Sequence, residues 1–220
     1  MRKAIIFDMD GTLLDTLEDL YRSANAALVQ YGFPERTLEE VRQFVGNAAR
    51  NLMRQAIPQG EENPHFEECL QAFKIHYGEH LNDHTGPYDG ILELLEQLSK
   101  EGVPMAIVSN KPDFAVRKLK ERYFGGLISV AIGESERVRR KPAPDTVEQA
   151  AERLGVRLED CIYVGDSEVD LLTAKNCGIP CVSVTWGFRS RELLISLGAE
   201  HMAEDTEELF FLLSDILNKS

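Results

Sequence analysis

The sequence predicts an α/β fold: a Rossmann-like parallel sheet core flanked by helices, with an inserted all-helical cap domain. Three observations support this prediction. From residue 87 onward, short apolar runs alternate with amphipathic helical segments, a pattern typical of a parallel sheet covered on both faces. One further apolar run, residues 4–7, stands at the start of the chain. Residues 15–82, between these two parts, carry helix and loop patterns without a strand signal, which indicates an insertion.

Length and composition favour an acidic globular protein. The 220 residues are enough for one domain with an insert, and 24 lysines and arginines against 37 acidic residues give a net charge of −13. So negative a surface disfavours nucleic acid and anionic membranes as partners. The four cysteines show no C-x-x-C spacing, and no apolar run approaches the roughly 18 residues of a membrane span. We therefore expect a cytoplasmic protein.

The inserted segment is predicted to be a helical cap domain over residues 15–84, with the core domain formed by residues 1–14 and 85–220. Its helices are expected at residues 13–31, 37–44, 47–57 and 66–81. Thr37 followed by Glu40 is a capping-box pattern, and Gly46 marks a break between two helices. An insert placed directly after the first strand is expected to cover the carboxyl edge of the sheet.

The rest of the core alternates strands and helices. The strands that follow the insert are expected at residues 103–108, 127–132, 160–164 and 180–184. The helices are expected at residues 91–98, 112–122, 144–154, 191–197 and 206–217, with one more that follows the strand at residues 160–164 and ends at residue 177. Each strand therefore ends at a short loop that leads to the next helix.

Two carboxylates follow the first strand directly. Asp8 and Asp10 lie just beyond its last apolar residue, at the edge where open α/β sheets bind ligands. Their mutual repulsion would be relieved by a cation, and oxygen ligands suit Mg²⁺. Gly11 allows the backbone to turn, and the hydroxyl of Thr12 can hold an anionic oxygen. The alternative is a strand that ends in an acidic turn.

Polar groups also follow the other strands. Ser109 and Asn110 follow the second strand, Lys141 comes after the third, and Asp166 and Asp170 follow the fourth. A parallel sheet brings all these positions to one edge. The combination of acids, a hydroxyl, an amide and a lysine suits a phosphoryl group bridged to Mg²⁺.

Structural alternatives exist for each of these groups. Lys141 ends a basic run, residues 137–141, of a kind that is usually a solvated face. Ser109 is also placed to cap the helix that follows it. Asp166 and Asp170 are also suited to be an N-cap and a first-turn acid favoured by the helix dipole.

Taken in order, these motifs resemble those of the haloacid dehalogenase superfamily of phosphatases, and the resemblance covers the whole chain. It implies that Asp8 attacks phosphorus to form an aspartyl-phosphate, and that Asp10 serves as general acid and then general base. It implies that Mg²⁺ is held by Asp8, the backbone carbonyl of Asp10, and Asp166.

The same resemblance assigns the remaining groups. Ser109, the backbone N–H of Asn110, and Lys141 would hold the phosphoryl oxygens in the transition state. Asp170 would orient Lys141 or metal-bound water. Thr12 is expected among the substrate-binding groups. The expected partner is a small phosphorylated metabolite, and the expected assembly is a monomer or weak homodimer.

The cap is expected to choose the substrate. The chain is similar to phosphoglycolate phosphatases, although Ala48 stands where these usually carry a second glycine after Gly46. Arg50 is placed either to hold a substrate carboxylate or to remain an exposed helix arginine. Alternative activities are a pyrophosphatase or nucleotidase and a β-phosphoglucomutase-type phosphomutase. A non-catalytic binding module is disfavoured because none of the expected acids is missing.

Overall fold

The chain folds into two units, which we call the sheet unit and the helical unit. The computed structural model describes residues 3–135 and 138–218. Met1–Leu14 and Pro87–Ser220 form the sheet unit, and Asp15–Gly86 form the helical unit. Arg137, the first residue of the predicted basic run, lies outside the described residues.

The sheet unit is built on six parallel strands, which confirms the predicted fold class. In chain order the strands of the described residues are β1 (Ala4–Phe7), β2 (Leu14–Asp15), β3 (Gly86–Pro87), β4 (Met105–Pro112), β5 (Val130–Glu134), β6 (Cys161–Gly165), β7 (Cys181–Val184) and β8 (His201–Ala203). The large sheet has the order β5-β4-β1-β6-β7-β8, while β2 and β3 pair with each other where the chain passes between the units.

Ten α-helices accompany these strands in the described residues. The helical unit contains α1 (Leu17–Gln30), α2 (Leu38–Phe44), α3 (Ala48–Ala56) and α4 (Phe66–His80). The sheet unit contains α5 (Ile91–Lys100), α6 (Asp113–Tyr123), α7 (Asp145–Leu154), α8 (Glu168–Cys177), α9 (Arg191–Ser196) and α10 (Thr206–Asn218). Among the residues described, no helix combines the length and apolar character needed to cross a membrane.

Strand β1 lies at the centre of the sheet because all four of its side chains are apolar and buried. Ile5 aligns with Met105 of β4 on one side and with Ile162 of β6 on the other. The ladder continues one residue beyond the strand, because the Asp8 N–H donates to the Val164 carbonyl at 2.8 Å. The backbone of Asp8 is therefore fixed by the core of the sheet.

Strand β4 extends further than its sequence predicts. Beyond the predicted apolar run 103–108, the strand continues through the polar residues 109–111 expected at its end and reaches Pro112, which aligns with Glu134 of β5. The register shifts between Val108 and Pro112. Polarity was misleading here because these side chains stand at the functional edge of the sheet, where apolar character is not required.

Two other strand predictions were wrong. Strand β5 begins at Val130 rather than at residue 127, because the Leu127 N–H bonds to the Phe124 carbonyl in a turn that ends the preceding helix. Strand β8 was not predicted, since its three residues are too few to show a pattern. It pairs with β7 alone, as an edge strand.

Within the helical unit, the break between α2 and α3 uses an unusual backbone. The predicted capping box at the start of α2 is confirmed, with the Glu40 N–H donating to the Thr37 hydroxyl and the Thr37 N–H donating to the Glu40 carboxylate. After α2 the chain turns at Gly46, with φ of 117°, and at Ala48, with φ of 64°. Ala48 therefore adopts a left-handed conformation that glycine tolerates better.

Candidate active site

Asp8 and Lys141 meet at the carboxyl edge of the sheet. The Lys141 ammonium lies 2.9 Å from Asp8 Oδ1, and both side chains are largely buried. The Lys141 carbonyl accepts from the Asn110 side-chain amide at 3.1 Å. The Asn176 amide donates to the next carbonyl, that of Pro142, at 2.8 Å. Groups from β4 and α8 thus fix the backbone that carries the lysine.

Asp170 joins the same cluster through both of its oxygens. Oδ1 accepts from Lys141 Nζ at 2.8 Å and from the Tyr163 hydroxyl at 3.0 Å. Oδ2 accepts from the Ser167 hydroxyl at 2.6 Å and from the Ser167 N–H at 3.1 Å, at the start of α8. The predicted alternative of a first-turn acid and the predicted orientation of Lys141 are therefore compatible in one side chain.

Asp166 is held on its two oxygens by separate donors. The Thr12 hydroxyl donates to Oδ1 at 3.1 Å, and the Phe188 N–H donates to Oδ2 at 2.8 Å. Side chains at Gly11, which has φ of 81°, or at Gly187 would collide with the Asp166 side chain. Only glycine at these two positions leaves room for the carboxylate. Because the proton of the Thr12 hydroxyl is engaged by Asp166, Thr12 orients this acid in the present arrangement.

The acids and the lysine change each other's ionisation. Burial raises the pKa of Asp8 well above its usual value, and the charge of Asp170 adds to this, while Lys141 opposes it. Burial and Asp170 raise the pKa of Asp166 to about 7. Burial disfavours charge on both Asp170 and Lys141, but their contact lowers the pKa of Asp170 and raises that of Lys141. Asp170 and Lys141 therefore form the stable ion pair, and ionisation of Asp8 and Asp166 is disfavoured unless further positive charge is present.

The shortage of positive charge around these acids fits a divalent cation. Among the described residues, one group of three potential metal ligands has oxygens within 4.8 Å of one another, namely Asp8, Asp166 and Asp170. Carboxylate oxygens are the ligands that Mg²⁺ prefers. Three buried acids beside one lysine leave a deficit of positive charge that such an ion would balance. The donor set thus suits a hard cation, with Asp170 already engaged by Lys141.

Asp10 is paired with a second lysine. Its Oδ1 lies 2.6 Å from Lys111 Nζ, and the Lys111 side chain is only 3% exposed. The pair joins the loop after β1 to β4. Asp10 therefore faces a cation different from the one that contacts Asp8.

Ser109 and Asn110 lie at the same edge, on β4. Both are buried, and the Ser109 hydroxyl accepts from the Lys111 N–H at 3.2 Å. The Asn110 side-chain oxygen is buried and has no hydrogen-bond partner among the described residues. The sheet unit thus brings together the predicted groups of the core domain, listed here: Asp8, Asp10, Thr12, Ser109, Asn110, Lys141, Asp166 and Asp170.

Arg50, the predicted substrate ligand of the cap, lies on α3 of the helical unit. Its guanidinium pairs with Glu61 at 3.0 Å and with Glu67 at 2.6 Å. These bonds raise the pKa of Arg50 above its usual value. A substrate carboxylate would have to compete with two carboxylates already bound, so the role of Arg50 stays a prediction.

The helical unit also contains a cavity of its own, of about 600 Å³, which three histidines line together with other side chains. The rings of His76 and His80 stack with their centroids 4.3 Å apart. His80 Nδ1 forms a hydrogen bond with Asp83 Oδ2 at 2.7 Å. Among the described residues this cavity holds no group of three ligands close enough for one metal ion.

Sequence reasoning missed two contributors to the site. The pattern predicts Tyr163 only as part of a buried strand, yet its hydroxyl contacts both Lys141 and Asp170. The Phe188 N–H completes the environment of Asp166 from a loop after β7. The first could have been suspected from a tyrosine inside a buried strand, which needs a hydrogen-bond partner. A backbone donor leaves no signal in the sequence.

Comparison with known proteins settles the family. Residues 5–184 match the model of the haloacid dehalogenase-like hydrolase family. The chain belongs to the haloacid dehalogenase-like hydrolases. The predicted superfamily is thus confirmed, and the motifs that suggested it are those that converge at the edge of this hydrolase's sheet.

Curated relatives of this haloacid dehalogenase-like hydrolase include phosphoglycolate phosphatase 1 of Pseudomonas aeruginosa. It is 34% identical over 191 residues, which cover 84% of this chain and 70% of that protein. The phosphoglycolate phosphatase of Xanthomonas campestris pv. campestris is also 34% identical, with 85% of each protein covered. These relatives confirm the prediction of an enzyme, a phosphoric monoester hydrolase.

Solved structures agree with the fold. A protein from Lactobacillus delbrueckii subsp. bulgaricus, provisionally described as a phosphoglycolate phosphatase, is 36% identical with a TM-score of 0.92, and each chain is fully covered. A similar protein from Haemophilus somnus is 26% identical with a TM-score of 0.88, covering 96% of this chain and 98% of that one. Both units of this hydrolase therefore have counterparts in known structures.

Proposed function

We propose that this phosphatase hydrolyses a small phosphate monoester of the phosphoglycolate type through an aspartyl-phosphate on Asp8. The observation that carries the proposal is the contact between Asp8 and Lys141 beside two further buried acids. The similarity to proteins named phosphoglycolate phosphatase supports the substrate class. The metabolite is the expected partner.

The proposed reaction has two steps. An Asp8 oxygen forms a bond to phosphorus while the bond to the ester oxygen breaks, and Asp10 gives its proton to the leaving alkoxide. Water then attacks phosphorus and gives a proton to Asp10, and the bond between phosphorus and Asp8 breaks. Alcohol and inorganic phosphate are the products.

The charge of Lys141 and the hydrogen-bond donors of β4 support both steps. Lys141 holds a phosphoryl oxygen and is itself held by Asp170. Ser109 and the backbone of Asn110 bind the other oxygens in this proposal, and Thr12 contributes by orienting Asp166. These groups stabilise charge that shifts between the oxygens as phosphorus is transferred.

A Mg²⁺ ion would be held by Asp8, Asp166 and the backbone carbonyl of Asp10. When bound, it reduces the repulsion between the carboxylate nucleophile and the phosphate dianion. Asp166 is prepared for this because Thr12 and Phe188 fix its two oxygens. Asp170 stays with Lys141 and Ser167 in the proposed arrangement.

Substitution of the nucleophile tests the proposal. We expect Asp8→Asn to lose Mg²⁺-dependent release of phosphate by roughly a thousandfold or more, because the amide cannot form the aspartyl-phosphate. Asp89→Asn, which changes an exposed acid of the same unit, should retain full activity. Retained Mg²⁺-dependent turnover in Asp8→Asn would reject the nucleophile assignment.

Product analysis separates the proposal from its alternatives. Hydrolysis releases free phosphate from a monoester, whereas a phosphomutase returns a rearranged sugar phosphate. A pyrophosphatase or nucleotidase would prefer pyrophosphate or nucleotides in a panel of phosphorylated metabolites. A preference for either of these over small carboxylated esters would replace the proposed substrate class.

We further propose a cytoplasmic monomer or weak homodimer. All four cysteines are free, which suits a reducing compartment. Sedimentation at micromolar concentration measures the assembly, and a stable dimer at that concentration would contradict this part of the proposal.

A further inference from the structure

Lys111 is a buried cation paired with Asp10, the acid to which the proposed function assigns protonation of the leaving group. We propose that Lys111 is a specificity-determining residue, whose ammonium binds a carboxylate on the leaving group of the substrate. This inference rests on the proposed function, because it takes Asp10 as the group that protonates the ester oxygen.

The position of Lys111 is firmly set by its neighbours. It lies near the end of β4, with its N–H donated to the Ser109 hydroxyl at 3.2 Å. A side chain at Gly133 of β5 would collide with the backbone of Lys111 and Asp113. The backbone of Lys111 thus packs closely against Gly133 of the neighbouring strand. Its ammonium lies 2.6 Å from Asp10 Oδ1.

Burial of this ion pair is not explained by stability alone. Taking an ammonium and a carboxylate out of water costs several kcal/mol each, and their attraction often does little more than offset this. The Lys111 and Asp10 side chains are only 3% and 16% exposed. A pair in this position is better explained by the chemistry it faces than by a gain in folding free energy.

The charges divide into two groups with different tasks. Lys141 contacts Asp8, the proposed nucleophile, and Asp170. Lys111 contacts Asp10, the proposed acid for the leaving group. In a phosphoglycolate-type ester the carboxylate is attached to the carbon next to the ester oxygen. An acid that protonates this oxygen therefore brings its paired ammonium within reach of the carboxylate.

The alternative carboxylate ligand, Arg50, is less well prepared. Glu61 and Glu67 already occupy its guanidinium within the helical unit. The Lys111 ammonium lies 2.6 Å from Asp10, an acid that takes part in the proposed reaction. The structure therefore favours Lys111 over Arg50 as the group that binds the carboxylate of the leaving group.

The test compares two esters that differ in one group. Phosphoglycolate and ethyl phosphate have the same backbone, with a carboxylate in the first where the second has a methyl group. We expect the ratio of their kcat/KM values to fall roughly ten- to hundredfold in Lys111→Met, since one charged contact is lost. Both rates fall as well, because Asp10 loses its partner, but the ratio isolates the carboxylate.

Three further variants complete the comparison. Lys111→Arg keeps the charge and should keep most of the preference. Lys100→Met removes a lysine whose side chain is 78% exposed and should leave the ratio unchanged. Arg50→Met should also retain the preference. Equal loss for both esters in Lys111→Met, or loss of preference in Arg50→Met instead, would overturn the inference.

A binding measurement separates this inference from the proposed mechanism. Calorimetry in Mg²⁺ compares 3-phosphonopropionate with propylphosphonate, neither of which can be hydrolysed at the P–C bond. Preference of the wild type for the first, lost in Lys111→Met, supports the inference even if Asp8→Asn were to retain turnover. No preference in the wild type would overturn it while leaving phosphatase activity intact.

Discussion

At the scale of single residues, Asp170 joins the start of α8 to Lys141, because each of its oxygens has its own partners. Oδ2 accepts a hydrogen bond from Ser167, the N-cap residue of α8, and Oδ1 accepts from Lys141 and from the Tyr163 hydroxyl. Burial and the nearby charge of Asp170 raise the pKa of Tyr163 well above its usual value. The hydroxyl therefore stays protonated, donates to Asp170 and accepts from Lys141 at 3.0 Å.

This network predicts that Tyr163 positions Lys141. We expect Tyr163→Phe to lower kcat more than it changes KM, since Lys141 then loses one of its acceptors. The free energy of unfolding should fall by about 1–3 kcal/mol, because a buried donor is left without its partner. Steady-state kinetics and denaturant unfolding measure the two effects.

A second tyrosine provides the control for Tyr163→Phe. Tyr31→Phe removes a hydroxyl at the end of α1, in the helical unit, and should leave kcat unchanged. If Tyr163→Phe lost stability but kept the kcat of the wild type, its hydroxyl would have a structural role only.

The contacts made by individual side chains could be predicted from the sequence only in part. Strand ends identified Asp8 and Lys141 as neighbours, because parallel strands share one edge. No local pattern pairs Lys111 with Asp10, because the two residues lie 101 positions apart in the chain. That pair depends on the continuation of β4 through polar residues, which local patterns disfavour.

At the scale of elements, the break between α2 and α3 combines a predictable helix start with an unfavourable turn. The capping box at Thr37 follows from local chemistry and was predicted. The turn that comes next places Ala48 at a φ of 64°. A left-handed conformation costs a non-glycine residue roughly 1–2 kcal/mol. Glycine at this place would avoid that cost.

Ala48→Gly is therefore expected to stabilise the helical unit. The gain should be about 0.5–1 kcal/mol, since relief of strain is partly offset by the greater freedom of glycine in the unfolded chain. Urea unfolding, followed by circular dichroism, measures the change.

The adjacent alanine is a matched control. Ala49 lies inside α3, so Ala49→Gly should destabilise by up to about 1 kcal/mol. Destabilisation by both substitutions to the same extent would show that Ala48 carries no backbone strain.

At the scale of the whole molecule, charge is distributed unevenly. The chain has a net charge of −13. Within it, the site concentrates three buried acids around one lysine that contacts two of them. Mutual repulsion among these acids works against folding of the sheet unit when no cation is present. A bound divalent ion would relieve this repulsion and add its binding free energy to stability.

We therefore expect Mg²⁺ to stabilise the sheet unit. At a concentration a hundredfold above its Kd, the free energy of unfolding should rise by about 2.7 kcal/mol, and chelation should reverse the gain. Differential scanning calorimetry with and without Mg²⁺, at constant ionic strength, measures the shift in Tm.

Asp166→Asn tests the origin of this stabilisation. The variant loses a proposed ligand together with one buried charge, so its Tm should respond little to Mg²⁺. A shift equal to that of the wild type would place the cation elsewhere in the molecule.

The sequence by itself determined the α/β class, the helical insert and the family, because alternating patterns and strand-end motifs are local properties of the chain. The tertiary structure decided which groups touch: Lys111 with Asp10, Tyr163 with Lys141, and Arg50 with glutamates of its own unit. Such pairings depend on register and on the course of distant segments. The physical reason is that ion pairing depends on the distance between two groups in the folded chain, and local sequence does not encode the distance between remote segments.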